Sequence, residues 1–467
     1  MVTNIDIFVM ILYLVVLVSI GFLSIRKVEN HNDFLVAGNR LGYGLYVPAM
    51  AAVVLGGAST LGGSGLGYQY GISGMWLVGM IGLGVVGMGL LFSKKLSKAN
   101  ILSVSELLGK RFGHSSRLIS AIVMAIYDLM VSVTGIIAMG IVLATLFGWD
   151  STTSVIVGGV IVLLYTTLGG MWAVTLTDVI QFWVMTIGLL FVLLPAGIYQ
   201  AGGVGGLVEK VDPSFLNISS IGIAKIFSYF LLYFFGIMIG QDIWQRAFTA
   251  KSEGVFRKGT IYAGIYCIIY GISGAIIGMT ASVLLPGLDD PQQAIPQLAM
   301  KFLPIGMVGL VLAAIASAVM STASGTIMAS ATVIVNDLLL PYSKKEYSEK
   351  AKLGLTRFVL FIVGAVAILI SAWLKNIVVA LDVAYALLSG SVFLPIIAAL
   401  FWRKVTASTT LLSMIISSVV VVIDLIVEGL SSLNAIIFGI AACGITMLIG
   451  TLLSPAKPVD VNPPHNL

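Results

Sequence analysis

Apolar runs of about twenty residues recur along the whole chain, separated by short polar or glycine-rich breaks. A helix of that length matches the hydrocarbon thickness of a bilayer, and in lipid a helix satisfies its own backbone polar groups. Composition agrees, with 59% of residues hydrophobic and only 10% charged, where soluble domains carry about 25% charge. The chain reads as an all-α polytopic membrane protein. About 13 transmembrane helices are expected, near residues 5–25, 43–68, 73–93, 117–147, 152–168, 172–199, 222–248, 259–286, 304–340, 354–374, 377–402, 406–427 and 432–454. Asp6 at the start of the first run, and the lack of a small-residue cleavage site after it, mark a retained helix rather than a signal peptide.

Of the 25 Lys and Arg residues, 21 fall in the segments 26–40, 94–117, 246–258, 344–357, 403–404 and at Lys457. Lys210, Lys225, Lys301 and Lys375 fall on the opposite side. The positive-inside rule then places the N-terminus outside and the C-terminus in the cytoplasm, in a multi-pass cytoplasmic (inner) membrane protein. The net charge of +5 is a topology signal and implies no nucleic-acid partner; the expected partners are membrane lipid and a small-molecule substrate, with no oligomer required. Cys267 and Cys443 sit singly in apolar runs, His31, His114 and His465 lie in loops or the tail, and no nucleophile, zinc, P-loop or dinucleotide motif occurs. An enzyme is not expected.

Within these runs, Val311 to Pro341 carries Ser317, Ser321, Thr322, Ser324, Thr326, Ser330 and Thr332 and no charge before Asp337. Ala318, Ser321 and Thr322, at i, i+3 and i+4, share one helix face. Hydroxyl and carbonyl oxygens are the ligands of a hard cation, and such a face needs a neighbour with free carbonyls to complete a shell. The same small residues would also let two helices pack closely. Span two supplies the neighbour, since Gly56, Gly57, Gly62, Gly63, Gly65 and Gly67 cluster at its centre and glycine disfavours helix by about 1 kcal/mol against alanine. A broken helix is expected there, and a second in span seven at Gly236 and Gly240, ahead of Gln241, Asp242, Trp244, Gln245 and Arg246. Two broken spans five positions apart imply inverted five-helix repeats and alternating access.

Four further carboxylates lie at membrane depth. Asp337, near the basic side, reads as structural, and Asp178 lies where it can meet the lower half of span nine. Asp128 and Asp382 are open between a proton site, a substrate contact and a partner for a buried hydroxyl. Arg246 reads as an anchor at the membrane edge, Ile101 to Phe112 as an amphipathic surface helix, and 289–304 as an outer lid helix.

The segments FLVAGNRLG (34–42), GASTLGG, LYTTLGGMWAVTLTDVIQ, GQDIWQRAFTAKS and AIASAVMSTASG together resemble the sodium:solute symporter family of proline, pantothenate, sialic acid, sugar and choline carriers. The resemblance implies a leucine-transporter-type fold: an extra N-terminal helix and loop (1–42), a first inverted repeat (43–200), an outer loop (201–221), a second repeat (222–402), and two extra helices with a tail (403–467). It implies a sodium (Na+) site from Ala58 and Leu61 in span two with Ala318, Ser321 and Thr322 in span nine. A second site in some members corresponds to Asp178, Ser321 and Ser324, but Gly325 stands where a further hydroxyl is wanted. Thr60 replaces the acid of the proline carriers, and Val54 and Leu55 replace an aromatic of the choline carriers. Polar or aromatic groups near the two breaks, Gln69, Tyr70, Asp128, Tyr233 and Gln241, are the expected substrate contacts. The expected function is a sodium-coupled symporter importing a small organic solute such as an amino acid or carboxylate. The alternatives are a proton-coupled carrier of the same fold and an uncoupled conduit or ligand sensor.

Overall fold

The computed structural model describes residues 2–24, 31–97, 99, 101–343, 347–402 and 404–454. Arg26, Lys27, Lys98, Lys344, Lys345, Arg403, Lys457 and His465 lie outside the described residues. All described regular elements are helical, apart from one bridge between Leu41 and Ala250. The principal helices are α1 (Asn4–Ser24), α2 (Tyr43–Val54), α3 (Gly63–Tyr70), α4 (Trp76–Leu91), α5 (His114–Phe147), α6 (Ser151–Met185) and α7 (Ile223–Tyr229). They continue with α8 (Gln241–Ala247), α9 (Glu253–Leu284), α10 (Met307–Val333), α11 (Glu349–Leu374), α12 (Ile377–Phe401), α13 (Ala407–Val427) and α14 (Asn434–Leu453).

Among the described residues ten helices are long and apolar enough to cross a bilayer, or eleven counting the bent pair at Ile223–Ile237 and Gln241–Ala247. The expected count of 13 is not reached by this measure. Tyr43–Val54 is too short to span alone because the chain breaks after Val54, and Gly170 kinks α6 at φ +59°.

Burial grades these helices from lipid to core. In the most apolar stretch of α1, α11, α13 and α14 only 22–39% of residues are buried, against 89% for the span containing α10. Alanine, serine and glycine make α10 thin enough for neighbours to close around it on all sides. Its first turn is fixed by Asp6 of α1, whose Oδ1 accepts from the backbone N–H of Gly306 at 2.8 Å and of Gly309 at 2.9 Å.

Both expected breaks are present. The chain leaves helical geometry at Leu55 (φ −94°, ψ 67°) and re-enters through a wide turn over Ala58–Gly62 before α3. Close approach explains glycine here: a Cβ at Gly56 would lie 2.6 Å from the Thr322 hydroxyl oxygen, and one at Gly57 would lie 2.5 Å from the Ala138 Cβ. The second break bends the chain by 45° between Ile237 and Gln241. There the Trp244 indole N–H donates to the Met238 carbonyl at 2.8 Å, satisfying an acceptor near the bend.

Candidate functional site

At the first break, three successive carbonyls ending α2 accept hydroxyl hydrogen bonds. Ser321 donates to Ala52 at 2.8 Å, Thr322 to Val53 at 2.7 Å, and Ser59 to Val54 at 3.2 Å. Ser321 and Thr322 are buried, and each hydroxyl oxygen keeps lone pairs for a further partner. Beside them lies a cavity of about 20 Å³, the volume of one small guest, walled by Val53, Gly56, Ala58, Ser59, Thr134 and Thr322. Asp242 of α8 and Tyr385 of α12 close its other side. Val54, Ile81, Val131, Ile237 and Leu381 make much of its wall apolar, and the hydroxyls of Ser59, Thr134, Thr322 and Tyr385 and the buried Asp242 carboxylate are the oxygens it offers a small cation. Ala58 and Thr322 line it directly. Leu61, Ala318 and Ser321 do not line it; the Ser321 hydroxyl reaches the Ala318 carbonyl at 2.9 Å, and the Leu61 carbonyl accepts from Ser64 at 3.1 Å.

A larger cavity of about 410 Å³ opens toward the face that carries the 201–221 segment. Gln69, Tyr70, Lys225, Tyr229 and Asp382 are among its lining residues. Within it the Lys225 ammonium stands 3.6 Å from Asp382 Oδ2 and 5.0 Å from the centre of the Tyr229 ring. The Tyr233 hydroxyl donates to Asp382 Oδ1. From this pair four tyrosines lead toward the small cavity in tilted and edge-to-face contact, with ring centres of Tyr229 and Tyr233 at 5.1 Å, Tyr233 and Tyr385 at 5.2 Å, and Tyr385 and Tyr127 at 5.1 Å. The Tyr127 hydroxyl donates to Asp242 Oδ1 at 3.3 Å and shares a 3.0 Å hydrogen bond with the Tyr385 hydroxyl.

Ion pairs and hydrogen bonds tie together the helices of the opposite, Lys- and Arg-rich face, on which a separate cavity of about 370 Å³ walled by Leu102, Phe248, Lys251 and Phe256 opens. Arg117 of α5 donates to Asp337 Oδ1 at 2.7 Å, and Gln245 donates to the Leu35 carbonyl at 2.8 Å. Arg246 contacts Asp178 Oδ2 through Nη2 at 3.1 Å and Nε at 3.3 Å, with both side chains buried. Gly325 makes room for this guanidinium, since a Cβ there would lie 2.9 Å from Arg246 Nη2.

Residues 34–417, most of the chain, match the sodium:solute symporter family. The chain belongs to that family. It is therefore a sodium-coupled transporter of small solutes and not an enzyme. This symporter is 28% identical to the high-affinity proline transporter of Bacillus subtilis (strain 168), covering 96% of this chain and 98% of the relative. It is 26% identical to the sodium/pantothenate symporter of Escherichia coli (strain K12) over 88% of each, and 24% identical to the sodium/glucose cotransporter of Vibrio parahaemolyticus over 88% and 83%. Its fold matches that of a Na+-coupled sialic acid symporter solved substrate-bound and outward-open, with a TM-score of 0.84 at 18% identity over 98% of this chain and 100% of the other. A leucine-transporter-type fold is thereby shown, as the sequence leads one to expect.

The symporter's expected substrate contacts divide. Gln69 and Tyr70 line the large cavity and Tyr233 touches Asp382 beneath it. Gln241 instead lies on the Lys- and Arg-rich face, where its Oε1 accepts from Val104 N at 2.8 Å and its Nε2 donates to the Leu102 carbonyl at 3.1 Å. Asp128 is buried near Asp242 and lines neither cavity. Of the second-site residues, Asp178 is paired with Arg246, and the Ser324 hydroxyl donates to the Ser321 carbonyl at 3.2 Å. Arg246 is thus a buried ion-pair partner, where a membrane-edge anchor is expected.

Sequence reading passes over Lys225 and Asp242. The spacing of Lys225, Tyr229 and Tyr233 at i, i+4 and i+8 is the signal that places a cation and two tyrosines along one stretch of span seven.

Proposed function

We propose that one sodium ion binds where α10 meets the break after α2, on the carbonyls of Ala58, Leu61 and Ala318 and the hydroxyls of Ser321 and Thr322. The observation that carries this reading is the pairing of Ser321 and Thr322 with the last carbonyls of α2, beside a cavity of one-guest size. Sodium there bridges the broken span to α10, holds one conformation and so raises affinity for the solute, because a ligand shifts an equilibrium only by its differential affinity. The segments 43–200 and 222–402 are the two repeats that move, and the remaining ends are additions outside them.

The large cavity receives the solute. With the Lys- and Arg-rich segments in the cytoplasm, the N-terminus lies outside and the cavity faces outward, so the described state is outward-facing. At Asp178 the Arg246 guanidinium already supplies a positive charge, and Gly325 supplies no hydroxyl, so a single sodium per cycle fits the geometry. One net charge moving inward gains about 2.3 kcal/mol per 100 mV of inside-negative potential, enough to accumulate a neutral solute. The solute class is a small amino acid or carboxylate, in keeping with the relatives named for proline and pantothenate.

The test is uptake into proteoliposomes of labelled proline, pantothenate and glucose, with an inward sodium gradient or an equal potassium gradient at constant pH. The reading expects one of them to accumulate with sodium alone. Equal uptake under both gradients contradicts it.

A further inference from the structure

The geometry points to the Lys225–Asp382 pair as a binding station for a zwitterion, with the solute's carboxylate taken by Lys225 and its ammonium by Asp382. This rests on the outward cavity being the solute entry. Three observations carry it.

The pair is loose. At 3.6 Å the Lys225 ammonium is beyond hydrogen-bond length from Asp382, whereas Arg117 and Asp337 on the Lys- and Arg-rich face meet at 2.7 Å. The ammonium has three N–H donors and the carboxylate two oxygens, so each keeps bonding positions on its cavity side for a guest or for water. The pair also sits inside the large cavity, within the size range of small-molecule sites and at the head of the tyrosine column. Lys225 has 23% of its side-chain surface exposed and Asp382 only 9%, so the cation is reached first.

The third observation is charge balance. Tyr233 and Tyr229 hold Asp382 and Lys225 in place but add no charge of their own. Binding an anion here leaves Asp382 beside a second negative charge, and a neutral sugar can hydrogen-bond both groups but brings a countercharge to neither. Only a solute bearing both charges pairs both groups, and a site built to pair a group rejects an analogue that lacks it.

The test uses L-proline and two isosteres that each delete one charge: cyclopentanecarboxylate, which lacks the ammonium, and pyrrolidine, which lacks the carboxylate. Binding to purified full-length protein is measured by calorimetry in sodium buffer for wild type, Asp382→Asn and Lys225→Met. Sodium-induced tryptophan fluorescence serves as the check that each variant is folded. Wild type is expected to prefer L-proline over both isosteres by about tenfold or more. Asp382→Asn should weaken L-proline by about tenfold or more while strengthening cyclopentanecarboxylate, which no longer meets a like charge, and Lys225→Met should weaken L-proline while strengthening pyrrolidine.

Equal losses for all three ligands would show a structural role and overturn the proposal. So would unchanged L-proline affinity in either variant, or no L-proline binding by wild-type protein that still responds to sodium. A wild-type protein that ignores sodium fails the underlying reading instead, and the zwitterion station with it.

Discussion

The Thr322 hydroxyl donates to the Val53 carbonyl at 2.7 Å, with Gly56 so close that a Cβ there would lie 2.6 Å from the same hydroxyl oxygen. The broken span and α10 are therefore fitted to each other at atomic contact. A change of one methyl group at the break must separate them.

Gly56→Ala is expected to raise the half-saturating sodium concentration by about tenfold or more, because the added methyl displaces a proposed sodium ligand. Gly44→Ala, where a Cβ meets nothing within 4 Å, is the control and should leave it unchanged. Sodium titration of uptake or of tryptophan fluorescence reads both.

Asp178 and Arg246 are buried together, so removing either partner strands a charge in the interior. Asp178→Asn or Arg246→Gln should each lower stability by roughly 3–5 kcal/mol, and the double variant should be more stable than either single one. Thermal unfolding in detergent checks the order. Gly325→Ser forces its Cβ to within 2.9 Å of Arg246 Nη2, so it should destabilise the protein without giving a second sodium. A sodium Hill coefficient near one is expected for wild type and Gly325→Ser, read from the sodium dependence of uptake.

Arg117 and Asp337 bind α5 to the end of the span containing α10 on the Lys- and Arg-rich face. Asp337→Asn should favour the state open to that face, shifting the equilibrium about fivefold if the pair is worth about 1 kcal/mol. Both native cysteines are buried, so a cysteine introduced at the buried Val104 reports the opening. Its alkylation by a membrane-impermeant reagent should speed up in the Asp337→Asn background, and an unchanged rate would show the pair to be no lock.

Much of this arrangement is legible in the sequence. Glycine clusters mark the two breaks because an interrupted helix at membrane depth needs both backbone freedom and close neighbours, as Gly56 and Gly57 show. The hydroxyl stripe of α10 is legible because Ser and Thr are costly against lipid and so must face protein. Pairings between distant segments are not legible. Nothing local says that Gln241 is fully engaged by Leu102 and Val104, that Arg246 reaches Asp178, or that Lys225 stands beside Asp382 in a cavity. Helix length at a break is not legible either, as at Val54, since apolar composition runs through the break unaltered.

The most direct test of the sodium account is a titration of tryptophan fluorescence with sodium at fixed ionic strength, potassium making up the balance. Wild type is compared with the Ser321→Ala/Thr322→Ala double variant. The account expects a saturable response to sodium alone in the wild type, with its midpoint raised about tenfold or lost in the variant. An identical response to both ions, or an unchanged midpoint in the variant, would contradict a sodium site where α10 meets the broken span.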